Sequence, residues 1–255
     1  MSYQLSGEEQ VSEIKEFLAK TWKIIVAVIV IGLLAFYGWR YWQSYKLEKT
    51  IESSERYEQL IANLDKNKPD SVNELVSFAE SDNTIYSVFA NLKAAKFYVE
   101  ELKDYPKAEK LLTDSLSKTD SEVIKSISYI RIARIQYQLE RYQDVLATLN
   151  KVTEKSWVPV VNDIRGDAYM KLNNYAEAVA AYNVALAPAP ADQSGENNSK
   201  ASLPTEQLDK NIKMKLNQAQ YLKDKQQAEQ EAQDAKDKAK QEAEANVNAA
   251  QENKN

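Results

Sequence analysis

The 255-residue chain has no cysteine and no histidine, only five glycines and only six prolines. Each absence removes a class of chemistry. Without cysteine there is no disulfide framework, no thiolate nucleophile and no Cys/His zinc centre; without histidine a Ser-His-Asp triad cannot be built. No glycine-rich phosphate loop is present either. Catalysis would have to rest on carboxylates or lysines, so paired carboxylates are the one enzymatic alternative. The chain is expected to be no enzyme, with no metal, no cofactor and no small-molecule substrate. Basic runs are also missing: 33 Lys and Arg stand against 38 Asp and Glu, a net charge of −5. Nucleic acid is therefore not an expected partner.

What is present is Ala, Leu, Lys, Glu and Gln, a composition that favours helices over sheet and predicts an all-α fold. One stretch stands apart. Ile24 to Trp39 reads IIVAVIVIGLLAFYGW, sixteen residues without a charge between Lys23 and Arg40. At 1.5 Å per residue it covers roughly 24 Å, short of the ~30 Å hydrocarbon core of a bilayer. Its flanks close the gap. Lys20 and Lys23 can snorkel, and Trp22, Trp39, Tyr41 and Trp42 suit the lipid–water interface. The Ile, Leu, Val and Phe residues of the stretch favour insertion by roughly 3 to 6 kcal/mol. The alternative of a core helix fails because the stretch is apolar all round and no other segment is apolar enough to wrap it. A cleaved signal peptide fits poorly, because the best ending, Leu33-Leu34-Ala35, carries a bulky Leu where a small residue is wanted. An uncleaved anchor over 23–42, in contact with membrane lipid, is expected. Lys15, Lys20 and Lys23 before it balance Arg40, Lys46 and Lys49 after it, so the positive-inside count is a tie.

Ahead of the span, Ser6-Gly7-Glu8-Glu9 fits a capping box, and Val11, Ile14, Phe17 and Leu18 line one face. Residues 1–22 are thus either a separate amphipathic helix at the membrane surface or a plain extension of the span. Past Trp42, apolar residues recur at helical spacing to Leu64, with no breaker before Asn67-Lys68-Pro69, which predicts a long helix ending near Lys66. Asp70 or Ser71 then caps a second helix through about Glu80.

The next hundred residues repeat. Asp104-Tyr105-Pro106-Lys107-Ala108, Arg141-Tyr142-Gln143-Asp144-Val145 and Asn174-Tyr175-Ala176-Glu177-Ala178 are three related turn-to-helix starts. Their tyrosines lie about 35 residues apart, near the 34-residue period of helix-pair solenoids. Helical hairpins are expected at about 84–116, 120–152 and 155–186, after a divergent pair over about 47–80. The last unit fits best, with the small residues Gly166 and Ala178 allowing close helix approach. In the first unit Ala95 stands one residue off register. Residues 187–204 read as a flexible linker. A capping helix over 205–223 follows, with Leu208, Ile212, Leu216, Ala219 and Leu222 on one face, so the repeat domain spans 43–223. The low-complexity tail, 224–255, is too polar to fold alone and is expected to be disordered with nascent helix. The spacing of Ala228, Ala232, Ala235 and Ala239 leaves a weak coiled coil as its alternative.

Three segments, Gly38-Trp39-Arg40-Tyr41-Trp42, Ile130-Arg131-Ile132-Ala133-Arg134-Ile135-Gln136 and Asp163-Ile164-Arg165-Gly166-Asp167, with Met214-Lys215-Leu216-Asn217 as a weaker fourth, give the chain its resemblance to a known family. Over roughly residues 5–222 it resembles the ancillary subunits of the bacterial SecYEG translocon, the YfgM-like membrane-anchored tetratricopeptide-repeat-like proteins. The linker is longer than the family leads one to expect, and the tail is an addition. The resemblance implies a single-pass inner-membrane protein with a cytoplasmic N-terminus and a periplasmic repeat domain. It also implies two partners, the SecYEG translocon and a membrane-anchored periplasmic chaperone of the prolyl-isomerase type (PpiD-like), and a part in assisting translocated proteins. A general inner-membrane scaffold for another envelope complex, in division or signalling, is the alternative.

Two sets of residues are candidates for contact. Trp39, Arg40, Tyr41 and Trp42 would meet the membrane interface and the translocon. Ile127, Ile130, Arg134, Tyr137, Gln138, Val160, Asp163, Asp167, Met170 and Lys171 would line the concave face made by the first helix of each pair, fit for an extended segment or a partner helix. The competing reading has Ile127, Ile130 and Tyr137 covered by the membrane-proximal helix, and Arg165 with Asp167 as a structural pair.

Overall fold

A computed structural model of the chain describes residues 7–187 and 205–252. Among them there are helices and no strands. The chain divides into two units, Met1–Asn63 and Leu64–Asn255.

The first unit is one helix, α1, Gly7–Ala62. It contains no proline, and its two interior glycines each cost only about 1 kcal/mol against alanine in a helix. The segment ahead of the span is therefore a continuation of the span helix, not a separate element. Every residue from 22 to 48 is exposed, including Ile31 (65%) and Leu34 (68%). A core helix would be covered. A bare apolar cylinder of this length meets the requirements of a bilayer crossing. The helix ends at Ala62, four residues earlier than the Asn67-Lys68-Pro69 breaker suggests.

The second unit begins with α2, Ser71–Ser81, whose N-cap is Asp70 and whose Val72, Leu75 and Ala79 are buried. Three pairs follow: α3 (Ile85–Phe97) with α4 (Tyr105–Leu116), α5 (Glu122–Gln138) with α6 (Tyr142–Leu149), and α7 (Val158–Lys171) with α8 (Tyr175–Leu186). Helix α9, Thr205–Glu252, closes the series. From α2 to α9 successive helices pack against each other, as in a helix-pair solenoid, and α5 also touches α7. The starts are set locally. Thr84 caps α3 by accepting from the Tyr86 amide at 3.2 Å, and Asp104 caps α4 by accepting from the Lys107 amide at 3.1 Å.

Each pair turns at the same place. Lys103, Glu140 and Asn173, two residues before the repeated tyrosine, have φ of 56°, 59° and 59°. This left-handed residue lets the next amide reach back to the end of the first helix: Arg141 to the Gln136 carbonyl and Asn174 to that of Tyr169, both at 2.9 Å. In the first pair the Asp104 amide reaches one residue further back, to the Tyr98 carbonyl at 3.0 Å. The extra residue is absorbed by a π-helical turn, Tyr98–Leu102. The register shift at Ala95 is the sequence trace of that turn.

Two cores result. Ile130, Ala133, Val145, Leu149, Val161, Ile164 and Ala168 join the second pair to the third, and Ala178, Tyr182, Ala185, Ile212 and Ala219 join the third to α9. Helix α9 runs unbroken to Glu252, through most of the tail for which disorder with nascent helix is expected. Residues 224–243 are all exposed, but a single helix needs no core once its nucleus is anchored by packing. Gln227 with Glu231, Gln230 with Asp234 and Gln233 with Asp237, at 2.9, 2.9 and 3.1 Å, support it at the i,i+4 spacing. Of the expected linker, residues 188–204 lie outside the described residues.

Candidate functional site

Two joints between helix pairs hold most of the candidate residues, and they are built in opposite ways. At the far joint, α7 supplies Asp163 and Asp167, one helical turn apart, and α9 supplies Lys215. The ammonium of Lys215 donates to both carboxylates at 2.8 Å. The Tyr182 hydroxyl of α8 donates to the other oxygen of Asp167 at 2.7 Å, so three helices meet in one polar cluster. Burial works against the Lys215 charge, but hydrogen bonds to Asp163 and Asp167 and their charges prevail, and its pKa lies above the ordinary lysine value. Burial, then the bond to Asp167, raises the Tyr182 pKa strongly, so the phenol stays neutral. The Tyr182 ring lies flat against Gly166: a Cβ there would sit 2.6 Å from Cδ1 and 2.8 Å from Cζ. Only glycine lets α7 and α8 approach this closely. Arg165 does not pair with Asp167. Its guanidinium donates to Asn162 at 2.9 Å and to Asn150 at 3.0 Å, tying α7 to the end of α6.

At the near joint, α3 with its π turn, α4 and α5 enclose an open cleft of ≈ 390 Å³. Ala95, Val99, Leu112 and Ile135 give it an apolar floor, with Tyr105 at its edge. Lys96, Glu100, Arg131, Arg134 and Gln138 supply its polar rim. Lys96 and Glu100 pair at 3.7 Å. Among the described residues neither Arg131 nor Arg134 has a hydrogen-bond or ion-pair partner within bonding distance. They lie three apart on α5, where like charges repel. Partial burial, and next the charge of Arg134, push the Arg131 guanidinium down from its ordinary value, and Glu100 only partly offsets them.

The wall behind this cleft is fully satisfied. Gln136 donates to Glu109 at 2.9 Å and accepts from Thr148 at 2.8 Å, while Arg141 pairs with the same Glu109. Ser115 and Ser128 share a buried hydrogen bond at 3.0 Å.

The expected concave face therefore divides. Arg134 and Gln138 stand at the cleft, exposed. Ile130 is 4% exposed and belongs to the core between α5, α6 and α7, with Val160 packed on the same core. Tyr137 is half-buried, edge-on to Tyr142 at 5.3 Å. Asp163 and Asp167 hold Lys215, and Met170 packs on the core beneath α9. Ile127 is half-buried and Lys171 exposed. In the first unit Trp39, Arg40, Tyr41 and Trp42 are all exposed, Trp39 and Trp42 have ring centroids 5.9 Å apart, and the Lys46 ammonium sits 3.6 Å over the Trp42 ring. The sequence reading passed over Arg131 and the whole α3 side of the cleft. The available signals were the off-register Ala95 and two arginines on one face of α5.

Two of the segments that gave the resemblance meet in space, and a third stands at the cleft. Asp163-Ile164-Arg165-Gly166-Asp167 and Met214-Lys215-Leu216-Asn217 are the two halves of the far joint, and Arg131 and Arg134 of the α5 segment stand at the near one. The tetratricopeptide repeat-like domain family matches residues 15–217, from ahead of the anchor to Lys215 and its neighbours. Among curated relatives, the ancillary SecYEG translocon subunit of Aggregatibacter actinomycetemcomitans is 30% identical over 186 residues, 72% of this chain and 91% of the relative. That of Escherichia coli K12 is 29% identical over 178 residues, 70% of this chain and 86% of the relative. That of Neisseria gonorrhoeae is 24% identical over 198 residues, 76% and 94% of the two chains. No solved structure matches the chain. By these likenesses the chain belongs to the tetratricopeptide repeat-like family of the ancillary SecYEG translocon subunits.

Proposed function

We propose that the chain is a non-catalytic, inner-membrane-anchored scaffold that stands beside the SecYEG translocon. Its short N-terminus lies in the cytoplasm and its repeat domain in the periplasm. There it binds a membrane-anchored chaperone of the prolyl-isomerase type and assists chains leaving the channel. The observation that carries the reading is that likeness to proteins named as ancillary translocon subunits runs the whole way from anchor to cap. Trp39, Arg40, Tyr41 and Trp42 suit a contact at the membrane interface, where amphipathic aromatics settle. The paired helices offer stacked surfaces of mixed apolar and charged character for a partner helix or an extended segment. The repeat domain's orientation follows the resemblance, since the charges beside the span balance.

Photo-crosslinking from Trp42 or Tyr45 in cells tests the reading. Adducts with translocon subunits or a membrane-anchored chaperone are expected, and they should accompany the chain in mild-detergent purification. Recovery of another envelope complex without the translocon would favour the general scaffold instead. Protease added to spheroplasts should digest the repeat domain; protection would place it in the cytoplasm.

A further inference from the structure

The geometry points to the near cleft as a binding site for an extended polypeptide segment that carries an acidic side chain beside apolar ones. In a chain of net charge −5, this cleft gathers Lys96, Arg131 and Arg134 against the single carboxylate of Glu100. Glu100 is already shared with Lys96, so the two guanidinium groups remain open to a ligand. A planar guanidinium presents forked donors matched to a carboxylate, and two of them on adjacent turns of α5 frame one such group. Below them the half-buried Val99 offers apolar surface to the flanking side chains, over a floor closed by the buried Ala95, Leu112 and Ile135. The volume, ≈ 390 Å³, falls within the range of clefts that hold a ligand.

The π turn is the second, independent observation. It inserts one residue in the first pair alone, and it places Val99 and Glu100 in the cleft wall. Turns of this kind are rare and recur at functional sites. The second and third pairs turn without it, and at the third the matching acidic and basic groups are spent on each other. An unpaired like-charged couple beside a local irregularity is where fold consistency yields to use.

The proposal deepens the scaffold reading by naming what the repeat face grips, and its test is run on the protein alone, so failure leaves the translocon association untouched. The full chain is held in nanodiscs of zwitterionic lipid and titrated with a rhodamine-labelled dodecapeptide bearing a central Leu-Glu-Leu. Peptides with Gln or Lys in place of that Glu serve for comparison. The Glu peptide is expected to bind about tenfold more tightly than the Gln peptide, with affinity falling as salt rises. The R131A/R134A variant should bring the Glu peptide down to the Gln level. Glu100→Gln removes the competing carboxylate and should tighten the Glu peptide severalfold, a gain that misfolding does not produce. Equal binding of the Glu and Gln peptides would overturn the proposal, as would unchanged affinity in either variant. A chain ending at Lys223 should bind like the full chain. Much tighter binding by it would show that the acidic tail fills the cleft, and that result also overturns a partner as the occupant.

Discussion

The joint between the third pair and α9 and the cleft between the first two pairs use the same kinds of groups for opposite ends. At the far joint Lys215 is placed between Asp163 and Asp167, and the Tyr182 hydroxyl completes the cluster. At the near cleft Arg131 and Arg134 stand together with one shared carboxylate between three cations. In the first arrangement every charged group has a partner within the fold. The second leaves attraction unspent, at some cost in local stability, which a repeat protein tolerates when the surface is for binding. The comparison shows why the residues of a repeat face cannot be read as one site: position in the series decides whether a charged residue is a joint or a contact.

Substitutions at the two places should therefore separate stability from binding. Tyr182→Ala at the far joint should have the largest effect, a loss of about 3–5 kcal/mol from emptying a side chain that is 1% exposed, read by urea unfolding of the full chain. Gly166→Ala comes next. Its Cβ forces the Tyr182 ring off α7, for a loss of about 1–3 kcal/mol by the same measurement. Lys215→Met leaves two carboxylates one turn apart without their cation. Because the lysine side chain is 34% exposed, solvent screening limits the loss to about 1–2 kcal/mol.

The pH dependence of the far joint has a definite sign. Both Lys215 and Tyr182 have raised values in the folded chain, so each contributes stability that is complete below its unfolded value, about 10.4 for lysine and about 10 for tyrosine. That contribution is lost as pH climbs through the folded values. Unfolding midpoints should show no loss from this joint through the neutral range and a fall above about pH 10, shallower in Lys215→Met. The smallest effect belongs to the near cleft: R131A/R134A should shift stability by no more than about 0.5 kcal/mol, with slight stabilisation from relief of repulsion. A loss as large as that of Tyr182→Ala would break the contrast.

The helix pairs were legible in the sequence because the repeated tyrosine marks a turn whose backbone the three units share. The anchor was legible because nothing else in the chain could cover it. Gly166 was legible as a point of close helix approach because a glycine inside a helical pattern needs a reason to be there, but that the Tyr182 ring fills the space was not. The cluster of Asp163 and Asp167 was not: the partner, Lys215, lies beyond the linker on α9, and residue spacing says nothing of pairing across such a gap. Those aspartates were read as part of the concave face for that reason, and the alternative pairing of Arg165 with Asp167 does not form. The cleft was half legible. Arg134 and Gln138 followed from helix periodicity, but its other wall depends on the π turn, which shifts Val99 and Glu100 off the regular α register. The length of α9 was not legible because the tail's composition was judged for its ability to form a core, whereas a helix continued from a packed segment needs only propensity and i,i+4 partners.

The most direct measurement sets two variants of the full chain side by side, R131A/R134A and Lys215→Met, each with its unfolding midpoint and its affinity for the Glu peptide. The expected result is a double separation: the arginine variant keeps its midpoint and loses the peptide, and the lysine variant loses midpoint and keeps the peptide. Loss of both properties in either variant would contradict the division of the repeat domain into a structural joint and a binding cleft.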